Sequence, residues 1–574
     1  MKKYKGLVAS EGIALGKAFL YEVADVLNNV PDNCKVEDTG REIKRLTKAL
    51  EDYKAYLKAL EDALPRSEKE LIEAYNLMAE ALIDEATDLV KKEKICAELA
   101  VKITYEKYSR MFRESGSELI ALRETDLKSI ASGIVESITR AEKTKTTIAQ
   151  IVLADELYPI DVIRLARQDI KGIVTRRGGL TSHVAIIARN NGIPYVIVPD
   201  LSKEAIKALN GKTVVVDAVN GILIAEPTRD IVNIYIEKLN RYKDLMKKAE
   251  KYICVKARTI DEYEISVLCN VGNVEEARLA TTRGCDGIGL FRVEFLYLGE
   301  KPPSEETLRS IFIKLSEFFP DKPVVIRAPD LGADKPVTYI KLEETNPFLG
   351  LRGIRLLLEY SKELFRPFLK AYLSVAKHSK NLKLLLPMVS KVREVYEVIN
   401  EISYVERELG ITDAIKKISL GIMVETPASA LMLDKIAETG YIDFISIGTN
   451  DLTQYVLAVD RTNARLGKYY SEFDPSVLRL LKMIIETGKT HNLEVEVCGE
   501  MASRQLAVPL LIGMGVDGLS VNPPVVGVIK YTISKLSKDL VAKELIDKIL
   551  SLKDECEVIE NIKNYLVKHG LEII

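Results

Sequence analysis

Eight short apolar runs recur along the C-terminal half of the chain, and most are followed at once by a polar or charged residue. They occupy 265–269, 287–291, 324–326, 384–386, 420–424, 444–447, 495–497 and 518–521, with helical patterns between them. Strands that read as unbroken apolar stretches are buried on both faces, as in a parallel sheet covered by helices. Eight strand–helix units in series predict a (β/α)8 TIM barrel. Barrels of this kind carry their working groups at the C-terminal ends of the strands. The residues found there are Asn270, Arg292 with Glu294, Arg327 with Asp330, Met388, Glu425, Asn450 with Asp451, and Cys498. One such residue reads as a rim ion pair. So regular a set reads as a site.

The set contains two kinds of charge. Arg292 and Arg327, with Arg352 and Arg461 as further candidates, present guanidinium forks that match phosphate and carboxylate. Glu425 and Asp451 are hard oxygen ligands. Mg2+ takes one or two carboxylates and completes its octahedron with substrate oxygens and water. A substrate bearing a phosphate, a carboxylate and a metal-bridging oxygen fits this layout. Many Mg-dependent barrel enzymes fit it as well.

Upstream, Gly178-Gly179-Leu180-Thr181-Ser182-His183 sets one of four histidines at the head of a helical pattern. Val184, Ile187 and Ala188 give that helix an apolar face, and Asn191-Gly192 with Pro194 ends it. Thr181 or Ser182 can cap it. A helix start offers unpaired N–H groups and the positive end of the dipole, so a phosphoryl group on His183 is stabilised where it forms. The spacing alone leaves a plain surface capping turn open. His378, His491 and His569 read as surface or packing residues.

Residues 6–22 read as a β segment with a Gly-rich turn. From 36 to 145 the pattern is helical, interrupted only by Pro65. Strand runs return at 151–153, 172–174, 195–198 and 213–216, so a helical bundle interrupts one mixed α/β domain. A charged amphipathic helix spans 228–252. The predicted organisation is an α/β domain from 1–35 and 146–227, an inserted bundle at 36–145, a linker helix at 228–255 and the barrel at 256–574.

Basic and acidic residues balance, 82 against 84, which argues against a nucleic-acid binder. No run of about 18 apolar residues and no apolar signal core occur, so a cytoplasmic protein without membrane insertion is expected. The seven cysteines show no paired or metal-type spacing and are expected to be reduced thiols. The lack of Trp and the Lys, Glu and Ile content suit a protein that works hot.

These segments resemble the phosphoenolpyruvate-utilising enzymes. The 178–189 stretch is similar to their phosphohistidine signature. Five barrel segments resemble the phosphoenolpyruvate-binding domain of the Enzyme I group. They are Gly289-Leu290-Phe291-Arg292-Val293-Glu294-Phe295-Leu296, Asn346-Pro347-Phe348-Leu349-Gly350, Val424-Glu425-Thr426-Pro427, Gly448-Thr449-Asn450-Asp451-Leu452 and Cys498-Gly499-Glu500, and Ala458-Val459-Asp460-Arg461 is similar too. Only about 35 residues precede the bundle and no P-loop appears, which leaves no place for the ATP-binding domain of the synthase and dikinase members. The resemblance implies phosphoenolpyruvate–protein phosphotransferase activity in a sugar phosphotransferase system. His183 would take the phosphoryl group and pass it to a histidine of an HPr-like phosphocarrier docked on the bundle, releasing pyruvate. It implies that Arg292, Arg327, Asn450, Asp451 and Arg461 bind phosphoenolpyruvate, that Glu425 and Asp451 hold Mg2+, and that the chain pairs as a homodimer through the barrel. It also implies that Cys498 protonates the enolate carbon. A thiol is a credible acid for that step, although most free cysteines are buried small hydrophobes.

Some residues depart from the family pattern. Leu180 stands for Arg, Val293 for Thr, Glu11 for Pro and Asn76 for His; Ala328-Pro329 follows Arg327, and Ala333 interrupts a Gly-Gly-Asp-Lys motif. They leave the barrel charge set intact and bear on rate and acceptor. Arg176 and Arg177 are placed to supply the charge missing at Leu180. The other readings are a diverged paralogue with a regulatory, non-sugar role or poor turnover, and a synthase-like enzyme lacking the ATP domain. Two transfers at separate sites imply a domain swing.

Overall fold

The computed structural model describes residues 1–21, 26–61, 66–114, 118–139, 151–166, 168, 170–179, 183–297, 301–333, 337, 339–340, 344–411, 418–461 and 463–571. Within these, the side chains of 59–61, 66–74, 112–114, 118–125, 183, 186, 190, 275, 464 and 465 lie outside the description. The chain forms two compact units, Met1–Lys243 and Asp244–Ile573.

The first unit is built on strands β1 (Lys2–Lys5), β2 (Leu7–Ser10), β3 (Ile13–Leu20), β4 (Ile151–Ala154), β5 (Gly172–Thr175), β6 (Tyr195–Ile197), β7 (Thr213–Asp217) and β8 (Ile222–Ala225). Their order is β1-β8-β7-β3-β4-β5-β6-β2. β3 joins two halves of the sheet. Ile13–Lys17 pair antiparallel with β7, and Ala18–Leu20 pair parallel with β4. The parallel β3–β4 pair requires a crossover, and here the crossover is the whole bundle.

The bundle comprises α1 (Thr39–Glu61), α2 (Arg66–Glu93), α3 (Ala97–Glu114) and α4 (Glu118–Thr139). Leu46, Ala49, Tyr53 and Leu57 of α1 are buried at three- and four-residue spacing, and so are Leu127, Ile130, Ala131 and Ile134 of α4. Residues 122–127 lie inside α4, which runs on to Thr139. Pro65 lies outside the described residues. The bundle shares one apolar core with the sheet face that carries α6 (His183–Asn190): Tyr21, Val152, Ile163, Val184, Ile187 and Tyr195 pack with Tyr53, Leu82 and Ile130. Tyr235 of the helix Arg229–Glu250 covers Ile13, Val215 and Ile224, and its hydroxyl donates to Asp217 Oδ2 at 2.8 Å.

The second unit is a closed parallel barrel of β9 (Ser266–Val271), β10 (Ile288–Phe291), β11 (Val324–Arg327), β12 (Leu382–Leu386), β13 (Ser419–Val424), β14 (Phe444–Ile447), β15 (Glu494–Val497) and β16 (Gly518–Val521). Neighbouring strands pair in sequence order, and β16 closes on β9 with Gly518 opposite Ser266 and Val521 opposite Cys269. All eight predicted runs are strands. The chain is thus a multidomain α/β protein with a bundle-bearing α/β unit and a (β/α)8 barrel.

The cysteines correct one expectation. Cys34 is bonded to Cys96 and Cys269 to Cys285, whereas Cys254, Cys498 and Cys556 are free. Sequence spacing hid the first pair, because 62 residues separate its members. An isolated β-bridge between Lys35 and Ile95 brings them together, with Cys96 N–H donating to Cys34 O at 2.9 Å. A loop of that size is worth about 4 kcal/mol in unfolded-state entropy. Cys34→Ser combined with Cys96→Ser is therefore expected to lower the unfolding midpoint markedly. Mass spectrometry after alkylation of the denatured, unreduced protein checks the bridge: alkylation of all seven cysteines would contradict it.

Candidate active site

The strand ends place most of the predicted barrel residues around one mouth. Arg327, the last residue of β11, is buried. Its Nη2 donates to Glu294 Oε1 at 2.6 Å and its Nη1 lies 3.5 Å from Asp330 Oδ2. Its Nε is buried and donates to no group among the described residues. An unmatched buried donor is costly, and an anion would satisfy it. Burial alone would loosen the Arg327 proton, but Glu294, Asp330 and Glu425 hold it more tightly than usual.

Arg352 is the centre of the cluster, although it lies at no strand end. It is 1 % exposed. Nε and Nη2 donate to the two oxygens of Asp330 at 3.1 and 3.0 Å, and Nη1 and Nη2 donate to those of Asp451 at 3.0 and 3.2 Å. Its guanidinium also lies 5.7 Å from the centre of the Phe348 ring, which ties the Asn-Pro-Phe-Leu-Gly segment to the mouth. Tyr455 OH helps by donating to Phe348 O at 2.5 Å.

Glu425 follows β13 and is fully enclosed. Oε1 accepts the Met388 N–H at 2.7 Å, and Met388 holds a left-handed φ of 58° to aim it. Strain of this kind, held by its surroundings, collects at working sites. Burial first, then the charges of Asp451 and Asp330, push the Glu425 carboxyl up to about 8. Three carboxylates so close favour either a proton or a cation. Asp451 differs from Glu425: Arg352 takes both its oxygens, and Arg461 Nη2 lies 3.4 Å from Oδ2. A left-handed Ala458 (φ 53°) ends the helix Thr449–Leu457 and turns the chain so that Arg461 N–H reaches Gln454 Oε1 at 3.1 Å.

Asn450 Oδ1 accepts the Glu500 N–H at 2.8 Å, which leaves its NH2 end for a substrate oxygen. Arg292 is exposed just beyond β10 and is near enough to stabilise a Cys498 thiolate. Cys498 is 2 % exposed, packs with Leu290, Leu385 and Met423, and is pushed up to about 12 by burial. It therefore holds its proton at neutral pH. Gly499 permits this position, since a Cβ there would stand 1.8 Å from Thr449 Oγ1.

In the first unit, His183 is the first residue of α6; its side chain, like Leu180, Thr181 and Ser182, lies outside the description. The anticipated apolar face is present, with Val184, Ile187 and Ala188 buried. Ile193 N–H donates to Ala188 O at 2.9 Å and closes the helix end. Gly178 has a φ of 147°, and a Cβ there would come 2.9 Å from Tyr195 OH. Arg176 does not stand free to replace the charge missing at Leu180, because Asp155 holds its Nε at 2.5 Å. Arg177 is exposed. His491 and His569 bond backbone carbonyls one turn back, at 2.9 and 2.8 Å, and His569 also packs on Tyr565. At Ala333 the backbone sits at φ 54°, the left-handed region that costs a β-carbon about 1 kcal/mol.

Among the described residues no group of three or more His, Cys, Asp and Glu side chains is gathered as a metal site, and no helix is long and apolar enough to cross a membrane. The architecture defines a two-unit enzyme class, with a charged barrel mouth in one unit and a helix-start histidine in the other. Family models agree in register: the N-terminal domain of PEP-utilising enzymes matches 5–123, their mobile domain 148–221 and their PEP-binding domain 246–538. The chain is 33 % identical to phosphoenolpyruvate-protein phosphotransferase of Priestia megaterium over 98 % of its length and 99 % of the relative's, and equally so to that of Bacillus subtilis. An Enzyme I protein solved by NMR is 28 % identical over 42 % of this chain and 99 % of that one, with a TM-score of 0.34. The chain belongs to the phosphoenolpyruvate-protein phosphotransferase family of PEP-utilising enzymes.

Proposed function

We propose that the chain transfers the phosphoryl group of phosphoenolpyruvate to His183 and from there to a histidine of an HPr-like carrier. The convergence of Arg327, Glu425, Asp451 and Cys498 on one barrel mouth carries this reading, together with descent from full-length relatives bearing that name. Arg327, through its unmatched Nε, binds a substrate anion with Arg292, Arg461 and the Asn450 amide. Glu425, with a carboxyl crowded by Asp451 and Asp330, fits a divalent cation, because added positive charge offsets that repulsion. Mg2+ held by Glu425 and Asp451 would draw charge from the phosphate and enolate oxygens. For Asp451 this means loosening its pairs with Arg352 and Arg461.

A ring nitrogen of His183 attacks phosphorus, and the bridging P–O bond breaks toward the enolate. Cys498 Sγ–H gives its proton to the enolate carbon, and pyruvate forms. The bundle α1–α4 is the docking surface for the carrier. Asn76, on α2, holds a buried Oδ1 without a partner among the described residues, where the family pattern has His. The carrier surface should differ accordingly. The protein acts in solution as a homodimer through the barrel.

The test is incubation with 32P-labelled phosphoenolpyruvate and Mg2+, with and without HPr-like carriers. Acid-labile label should appear on the protein and pass to a carrier. Absence of label on the protein would refute the reading.

A further inference from the structure

Cys498 is held in place by a buried amide on another strand. It lies one residue beyond β15, whose registered pairing with β16 ends at Val497 opposite Leu519. Its own N–H donates to Ile447 O on β14 at 3.1 Å. Its carbonyl, past the end of the β15–β16 pairing, accepts from Asn270 Nδ2 at 3.0 Å. Asn270 belongs to β9, on the far side of β16, so the amide reaches across a whole strand.

Both ends of the Asn270 amide are engaged. Nδ2 also donates to Ser520 O at 2.9 Å, and Oδ1 accepts the Ser520 hydroxyl at 2.6 Å. A side-chain amide has two N–H donors and one carbonyl oxygen, so this pattern fixes which end faces Cys498. Asn270 is 8 % exposed and Ser520 is fully buried. Gly289 keeps room for the pair, since a Cβ there would stand 2.4 Å from Ser520 Oγ. On the other side Cys498 is bounded by Gly499, which has no room for a side chain beside Thr449, and by Glu500, whose N–H donates to Asn450 Oδ1 at 2.8 Å. Thr449 is fixed in turn, donating to Glu472 Oε1 at 2.9 Å. With the N–H and C=O of Cys498 both tied, Sγ is left only its staggered rotamers about the Cα–Cβ bond. Asn450 is also a proposed substrate ligand, so thiol and substrate share one frame.

We propose that Asn270, oriented by Ser520, is the positioning residue that aims the Cys498 thiol at one face of the enolate carbon. The inference rests on the phosphotransferase reading. Asn270 acts through Cys498 and not on the substrate. In the step it serves, the Sγ–H bond breaks and a C–H bond forms at the enolate methylene. The thiolate left behind regains a proton from solvent once pyruvate has gone, and no electron is gained or lost. A thiol on a fixed backbone delivers its proton from one side only. Without the amide, the buried Cys498 and Ser520 carbonyls lose their donor, and the segment beyond β15 shifts to find another. The enol then leaves before it is protonated and takes its proton from water on either face.

The test uses the full-length protein in stoichiometric amount with Mg2+, in tritiated water. The substrate is 32P-labelled phosphoenolpyruvate bearing one deuterium at a defined position on C3. Pyruvate is trapped at once as lactate, and two quantities are read: 32P bound to the protein, and the handedness of the methyl group that carries H, D and T. The unaltered protein should give a methyl of one hand. In Asn270→Ala the excess of that hand is expected to fall several-fold for the same 32P bound. Ser520→Ala, which removes the hydroxyl that orients the amide, should shift it in the same direction and serves independently if Asn270→Ala does not fold. An unchanged excess in a folded variant, even one that takes up label slowly, overturns the inference, because a merely structural role would lower uptake and leave handedness alone. A racemic methyl from unaltered protein that does take up label also overturns it, and leaves phosphoryl transfer standing. No label on the unaltered protein overturns the phosphotransferase reading itself, and the inference with it.

Discussion

His183→Ala is expected to take up no label from 32P-phosphoenolpyruvate while still binding phosphoenolpyruvate at the barrel. The variant should fold. His183 is the first residue of α6, and the helix is anchored elsewhere, by Val184, Ile187 and Ala188 in the core and by Arg189 Nε donating to Ala9 O at 2.7 Å. Ala is a good helix former, so the change at the first turn costs well under about 1 kcal/mol. The proposed substrate groups, Arg292, Arg327, Asn450 and Arg461, all belong to the other compact unit. The two effects therefore separate: calorimetric binding of phosphoenolpyruvate persists and covalent label vanishes. The other three histidines, His378, His491 and His569, all sit at or just past helix C-termini, where the negative end of the dipole disfavours a phosphoryl group. Acid-labile label on the variant at the unaltered protein's level would refute the assignment.

The barrel was legible because its strands are buried on both faces, and such strands announce themselves as apolar runs whatever the helices between them do. The first few residues beyond each run then give the mouth. Arg352 escaped this rule. It precedes the helix Ile354–Glu359, and only the closed barrel brings it between Asp330 and Asp451. Asp451 shows the converse. Its strand-end place suggested a free ligand, but the fold hands both its oxygens to arginine. The Cys34–Cys96 bond depends on a non-local bridge that spacing does not encode. Asn270 did leave a signal, a polar residue at the end of an apolar run, but its partners Cys498 and Ser520 come beside it only when the barrel closes.

Glu425→Gln is expected to reduce Mg2+-dependent phosphoryl transfer on the order of a thousandfold, about 4 kcal/mol. The amide preserves the local fold, because its oxygen can still accept the Met388 N–H that now reaches Oε1 at 2.7 Å. What it loses is the negative charge offered to the cation. Stability should move the other way. The folded carboxyl titrates near 8 against 4.5 for an ordinary glutamate, because burial, Asp451 and Asp330 oppose its ionisation. Its stabilising contribution is whole below pH 4.5 and is lost as pH rises through 8. The metal-free unaltered protein should therefore unfold at progressively lower temperature from about pH 5 to pH 9, and Glu425→Gln should flatten part of that decline. Melting curves across this range, without and with Mg2+, provide the measurement. Added Mg2+ should restore stability at high pH to the unaltered protein and do so much less for the variant. Full transfer activity in Glu425→Gln, or equal Mg2+ stabilisation of both proteins, would remove Glu425 from the cation site.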